Sequence, residues 1–375
     1  MPPPVPLTPE RALERLFTTD SASSDWFAAS FLSAIPLTKV DEITQQTRKG
    51  GGHYKGARAV EGHWLLDFEH ATIRADLALD SDGRFTGLMI RPEEVKTTTL
   101  EEALHDFRAL EGKVSVLVLT DGHDQGAIEP ETPLAVGSTF KLATLTELRA
   151  EIDKKKRSWS DVVQLRHDAK SLPSGVLQEW PDQAPLTLYT LAAMMISRSD
   201  NTATDMLIGV LGRNTIEPFA SRNKPYLTTR DMFVLKAPAN ADLLARYRAG
   251  DEAARRALLK EIHDKPLPNG ETYPKEPTAL DVEWFFTTRE LCGLMKGVHD
   301  LPLMSINPGV AKRKDWTSVA YKGGSEPGVI NMTTWAEKGG HAHCVSATWN
   351  APQKLDELSF TTAYKRILSV LKDQP

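Results

Sequence analysis

Ser138-Thr139-Phe140-Lys141 is followed by Ser199-Asp200-Asn201 and then by Lys322-Gly323-Gly324-Ser325. These three stretches decide how the chain is read. A serine and a lysine three positions apart share one face of a helix and can touch. An activated serine nucleophile needs that arrangement, a hydroxyl beside a group able to take its proton. The preceding segment, Pro133 to Gly137, reads as a loop, so Ser138 is expected at a helix N-terminus. Unpaired backbone N–H groups there can stabilise an oxyanion. A serine in that place is also an ordinary helix cap. The two later motifs are what favour chemistry.

Taken in order, the three elements resemble the serine β-lactamases and penicillin-binding proteins, the class A β-lactamases in particular. That family carries Ser-x-x-Lys, then Ser-Asp-Asn, then Lys-Thr-Gly or a variant. The run Ser199-Asp200-Asn201-Thr202-Ala203-Thr204-Asp205 leads straight into an apolar helix, as it does there. The resemblance implies a role for each residue. Ser138 is the nucleophile and Lys141 its base. Ser199, helped by Lys322, relays a proton to the leaving group. Asn201 holds the substrate's amide or carbonyl, while Asp200 orders its own loop. Gly323 and Gly324 leave room for substrate against an edge strand. The backbone N–H groups of Ser138 and Ser325 form the oxyanion hole. A free lysine titrates near about 10.4, so Lys141 needs burial or a second cation to act as a base near neutrality. Lys322 is the candidate cation.

Three departures from the family pattern stand out. The region Asn223 to Leu235 holds no glutamate to activate a deacylating water, and Asp231, the carboxylate close by, reads as part of a helix start. Gly323 replaces the usual threonine, which removes one contact to a substrate carboxylate. No arginine stands near Met332 as a second carboxylate anchor. The acylation machinery is complete, and efficient β-lactam turnover is in question.

The chain has 375 residues, 41% hydrophobic and 25% charged, with a net charge of −5. That composition is an ordinary globular one and points to neither nucleic acid nor an anionic membrane. Met1 to Pro6 lacks the basic start and apolar core of a signal peptide. The compartment is therefore left open between export with a removed signal and the cytoplasm. Cys292 and Cys344 lie in apolar surroundings and are expected as buried free thiols, with a disulfide the less expected alternative. No Cys/His cluster has metal-ligand spacing, and no cofactor is expected. His341-Ala342-His343 reads as one exposed strand face.

Two domains are expected, residues 1–95 and 96–375. In the first, helical periodicity from residue 8 to about 48 gives way to strands, with a hairpin turn at Asp82-Gly83. Helices followed by a curved antiparallel meander form a small α+β unit, similar to the cone-shaped domain of nuclear transport factor 2 and the ketosteroid isomerases. Arg91 to Thr99 reads as a linker. In the second, strands from both ends of the segment flank a helical insert, and a helix over Leu355 to Leu371 closes the chain. That is the β-lactamase architecture, an antiparallel sheet with flanking helices. The two-domain arrangement also resembles the β-lactamase-like proteins of clavulanic acid biosynthesis, which implies esterase action on cephalosporins. The expected function is a serine acyl hydrolase acting on small esters, on β-lactams weakly, or on both. The alternative is a β-lactam receptor or sensor that acylates and stays acylated.

Overall fold

A computed structural model of the chain describes residues 7–60, 62–90, 94–95, 99–271 and 273–373. The segment Met1 to Pro6 and most of the expected linker Arg91 to Thr99 lie outside the described residues. The chain divides into two compact units: Met1–Thr99 with Asp356–Val370, and Leu100–Leu355 with Leu371–Pro375. The closing helix, Glu357–Lys372, groups mostly with the first unit, where the sequence reading had put it in the second.

The first unit opens with α1 (Pro9–Thr18), α2 (Ala29–Ala34) and α3 (Leu37–Gly51). Pro9 at the start of α1 and the Thr8 cap fix where that helix begins. Ala12, Leu13, Leu16 and Phe17 recur at helical spacing and are all buried. They pack on an antiparallel sheet of β1 (Tyr54–Val60), β2 (His63–Phe68), β3 (Ala71–Leu79) and β4 (Phe85–Ile90), with β5 (Glu94–Val95) pairing β3. The β3–β4 hairpin turns where expected. Asp80 Oδ1 accepts from the N–H groups of Asp82 and Arg84, and Gly83 takes φ +75. The order of helices then sheet is the expected one.

The second unit runs α4 (Leu100–Arg108), β6 (Lys113–Thr120), β7 (His123–Ile128), β8 (Leu134–Ala135) and α5 (Lys141–Asp153). The helical insert follows: β9 (Val162–Gln164), β10 (Pro185–Thr187), α6 (Leu188–Ser197), α7 (Asn201–Leu211), α8 (Arg213–Ile216), α9 (Thr229–Lys236), α10 (Ala241–Ala249) and α11 (Glu252–Asp264). Then come β11 (Phe285–Phe286), α12 (Thr288–Lys296), β12 (Ser318–Glu326), β13 (Val329–Lys338) and β14 (His341–Asn350). The main sheet is antiparallel in the order β12-β13-β14-β6-β7, so β12 is an edge strand. The core beneath the site is aliphatic and aromatic. Phe140 stacks on Trp284 with centroids 3.8 Å apart, and Trp284 donates to Leu227 O.

Two expectations fail here. Cys292 on α12 and Cys344 on β14 are joined in a disulfide. Their Cα atoms stand 5.9 Å apart, inside the range a bridge needs, because α12 packs on β14. His341 and His343 do not share an exposed face. His343 is buried with Nδ1 2.9 Å from Thr120 Oγ1, while His341 is partly exposed and pairs with Asp121. Among the described residues, no helix is long and apolar enough to cross a membrane, and no group of side chains could hold a metal ion.

Candidate active site

Ser138 lies in a tight 3-10 turn, Gly137–Phe140, that runs directly into α5. The expected helix N-terminus is there, wound more tightly in its first turn. Gly137 begins it at φ +48, a left-handed conformation natural to glycine. Lys141 follows one turn later with no exposed surface. Its Nζ lies 3.1 Å from Ser138 Oγ, 3.2 Å from Ser199 Oγ, 2.6 Å from Ser199 O and 2.6 Å from Asn201 Oδ1. Burial pushes its pKa well below the ordinary lysine value, and repulsion from Lys322 pushes it further.

The second motif forms the turn before α7. Asp200 caps that helix by accepting from Ala203 N, and its other oxygen accepts from Val176 N and Leu177 N. It orders the loop, as expected. Ser199 is thereby held at φ +55, uncommon for a residue with a side chain and frequent at functional sites. Asn201 uses both ends of its amide. Oδ1 accepts from Lys141, and Nδ2 donates to Leu172 O at 2.9 Å. It lines the cavity at Ser138 while its Oδ1 holds the lysine. Nδ2 carries two hydrogens, so the substrate contact expected of its amide need not displace the bond to Leu172.

The third motif lies on the edge strand β12. Lys322 is buried, with Nζ 3.1 Å from Ser199 Oγ and a hydrogen bond to Gly323 O. Burial brings its pKa down to about 7. Gly324 presses against the Ser138 turn. A Cβ there would fall 2.3 Å from Val136 O and 2.4 Å from Ser138 N, so only glycine fits. The next residue, Ser325, shares the cavity with Ser138, and its N–H lies beside Gly137. The space a side chain at position 323 would fill is already taken. A Cβ on Gly323 would stand 2.1 Å from the hydroxyl of Tyr321, two residues back on the same strand face. Neither Tyr321 nor the cavity residues Tyr273, Trp284 and Glu326 were singled out from sequence. Tyr321 and Glu326 flank the third motif directly, which was the available signal.

Asp231 belongs to a helix start, as its sequence context suggested. It forms a capping box with Thr228 at the head of α9 and an ion pair with Arg213 at 2.7 Å. Nearby Asp205 accepts from Thr229 N and Arg230 N, and burial raises its pKa to about 7. It ties α7 to the turn that carries Thr229 into the cavity.

Residues 96–254 match the model of a family described as the beta-lactamase enzyme family. No curated protein matches the chain by sequence. Among solved structures, the β-lactamase of Sphaerobacter thermophilus is similar at 18% identity and a TM-score of 0.52, covering 73% of this chain and 95% of that one. A mutant of the class A β-lactamase of the last common ancestor of Gram-negative bacteria is similar at 15% identity and a TM-score of 0.51, covering 72% and 96%. These likenesses concern the fold, and the family match leaves residues 1–95 and 255–375 outside it. Three motifs thus assemble around one buried lysine in a unit that carries the fold of the class A β-lactamases and whose residues 96–254 match the beta-lactamase enzyme family model.

Proposed function

We propose that the protein is a serine acyl hydrolase that forms an acyl-enzyme on Ser138 with esters, with β-lactams, or with both. The observation that carries this reading is the fully buried Lys141 amine, 3.1 Å from Ser138 Oγ and depressed in pKa by burial and by Lys322. A neutral amine in that place can take the serine proton.

The steps follow from the contacts. Ser138 gives its proton to Lys141 as Oγ bonds to the substrate carbonyl carbon. The carbonyl oxygen becomes an oxyanion facing the N–H groups of Ser138 and Ser325. Collapse breaks the bond to the leaving group, which takes a proton from Ser199, and Ser199 takes one from Lys141. Lys141 is then neutral again. It can accept a proton from a water that attacks the acyl carbon, and can return it to Ser138 Oγ as that bond breaks.

A second reading is a receptor that acylates and stays acylated. The specific observation favouring it is the state of Asp231, the carboxylate nearest the loop where the family holds its water-activating glutamate. It is engaged by Arg213 and by the Thr228 N–H. Intact mass after brief exposure to a 4-nitrophenyl ester and to a cephalosporin tests both readings. An adduct that turns over marks a hydrolase, one that persists marks a receptor, and none with either compound ends the acyl-enzyme proposal.

A further inference from the structure

The carbon bonded to Ser138 Oγ in the proposed mechanism has three other substituents. Its oxyanion faces the N–H groups of Ser138 and Ser325. Its leaving group faces Ser199, between the two lysines. The acyl chain is left one direction, a cavity of about 350 Å³ that reaches from Ser138 past Met232, Phe233 and Tyr273 to Glu326. Most of that wall is apolar. Among the described residues Glu326 is the one carboxylate that lines it.

Glu326 does not hold its cation alone. Its side chain is 25% exposed, and Lys236 Nζ lies 3.4 Å from both of its oxygens. Lys236 is buried behind it and has a closer partner in Glu283, whose side chain is fully buried. Neither Glu283 oxygen has another hydrogen-bond partner, so Glu283 depends on that lysine for its charge to be tolerated. With both carboxylates ionised, the three side chains sum to one negative charge. The adjacent Arg248 and Asp281 pair with each other at 2.6 and 2.7 Å and add nothing. The excess charge therefore faces the cavity through Glu326.

We propose that this cavity is an acyl subsite for cationic acyl groups, an apolar body carrying an ammonium, with Glu326 as the residue that selects them. The inference rests on the acyl-transfer reading of Ser138 and narrows its substrate class. A carboxylate and an ammonium a few ångströms apart at a half-buried site favour the charged acyl chain by roughly 3- to 30-fold, depending on the local dielectric.

Ampicillin and benzylpenicillin differ by one ammonium on the acyl chain and make a matched pair. With the full-length protein at low ionic strength, and at a pH where that amine is protonated, the second-order rate of adduct formation should be higher for ampicillin by that factor. In Glu326→Gln the ratio should fall towards one, and in Glu326→Asp, which keeps the charge, most of it should remain. A wild-type ratio of one or less, or a ratio that Glu326→Gln leaves unchanged, overturns the inference. Equilibrium binding of the same two compounds to Ser138→Ala, read by calorimetry, needs no chemistry. Ampicillin preference there without any adduct on the wild type would end the acyl-transfer reading and keep the cationic subsite. Equal affinities there would remove the subsite whatever the chemistry.

Discussion

Lys141 and Lys322 approach a single hydroxyl, Ser199 Oγ, from 3.2 and 3.1 Å. Two buried ammonium groups that close to one oxygen repel each other; burial and then the charge on Lys322 lower Lys141's hold on a proton, and burial lowers that of Lys322. One lysine can then be neutral while its partner carries charge, with a serine between them to pass a proton.

The pair should give acylation a bell-shaped pH dependence. The rate rises with pH as Lys141 loses its proton, and falls as pH passes about 7 and Lys322 loses the charge that polarises Ser199. The two apparent values belong to the coupled pair. Lys141→Ala should slow the burst with 4-nitrophenyl esters by about 10²- to 10⁴-fold, as loss of a general base does. Lys322→Ala should slow it less and remove the alkaline limb. Near-normal burst kinetics in Lys141→Ala would make that lysine a bystander.

Folding stability should carry the same signature. Lys322 titrates at about 7 in the fold against 10.5 when free. Between those values the unfolded chain holds more protons, so stability rises with pH, by at most about 1.4 kcal/mol per unit. Below that window both states are protonated and this contribution is flat. Urea unfolding of Ser138→Ala, compared with Ser138→Ala/Lys322→Met from pH 7 upward, should show the steeper rise in the protein that keeps Lys322. Equal slopes would contradict its depressed proton affinity.

The two glycines of the third motif should respond differently. Gly324→Ala forces a methyl into Val136 O and Ser138 N, which are backbone atoms that cannot turn aside. Adduct formation should drop by about 10²-fold or more through damage to the oxyanion hole. At Gly323 the obstacle is the end of the Tyr321 side chain, which can move. Gly323→Thr should therefore cost less than Gly324→Ala, and what it does cost should be recovered when combined with Tyr321→Ala. Additive losses in the double variant, read by melting temperature and acylation rate, would show that the two positions do not share that space.

Removal of the Cys292–Cys344 bridge should destabilise the protein by about 2–4 kcal/mol, as expected for a cross-link closing a loop of this size. Thiol titration of the unreduced, denatured protein should find no free thiol. Two free thiols would restore the reading made from sequence.

What the sequence disclosed tracks how local each signal was. Ser138 and Lys141 sit one helical turn apart, so their contact follows from spacing alone. Asp200 caps the helix that begins at its neighbour, again a local relation. The disulfide was misjudged because it joins a helix and a strand whose packing no short window contains. The bond from Asn201 to Leu172 O was out of reach for the same reason, since its partner lies on a loop 29 residues away. Glu326 was missed for a related reason. The role proposed for it depends on Lys236, from a helix, being shared between this strand residue and Glu283, from a third segment.

The central claim is that Ser138 becomes acylated. Intact mass followed by peptide mapping after brief exposure to benzylpenicillin tests it most directly. The expected result is one penicilloyl adduct on the peptide holding Ser138, formed in a burst, slow to clear because Asp231, the carboxylate in the stretch Asn223 to Leu235, is buried and paired with Arg213, and absent in Ser138→Ala. An adduct on another residue, or hydrolysis that persists in Ser138→Ala with the wild-type pH profile, would contradict the account.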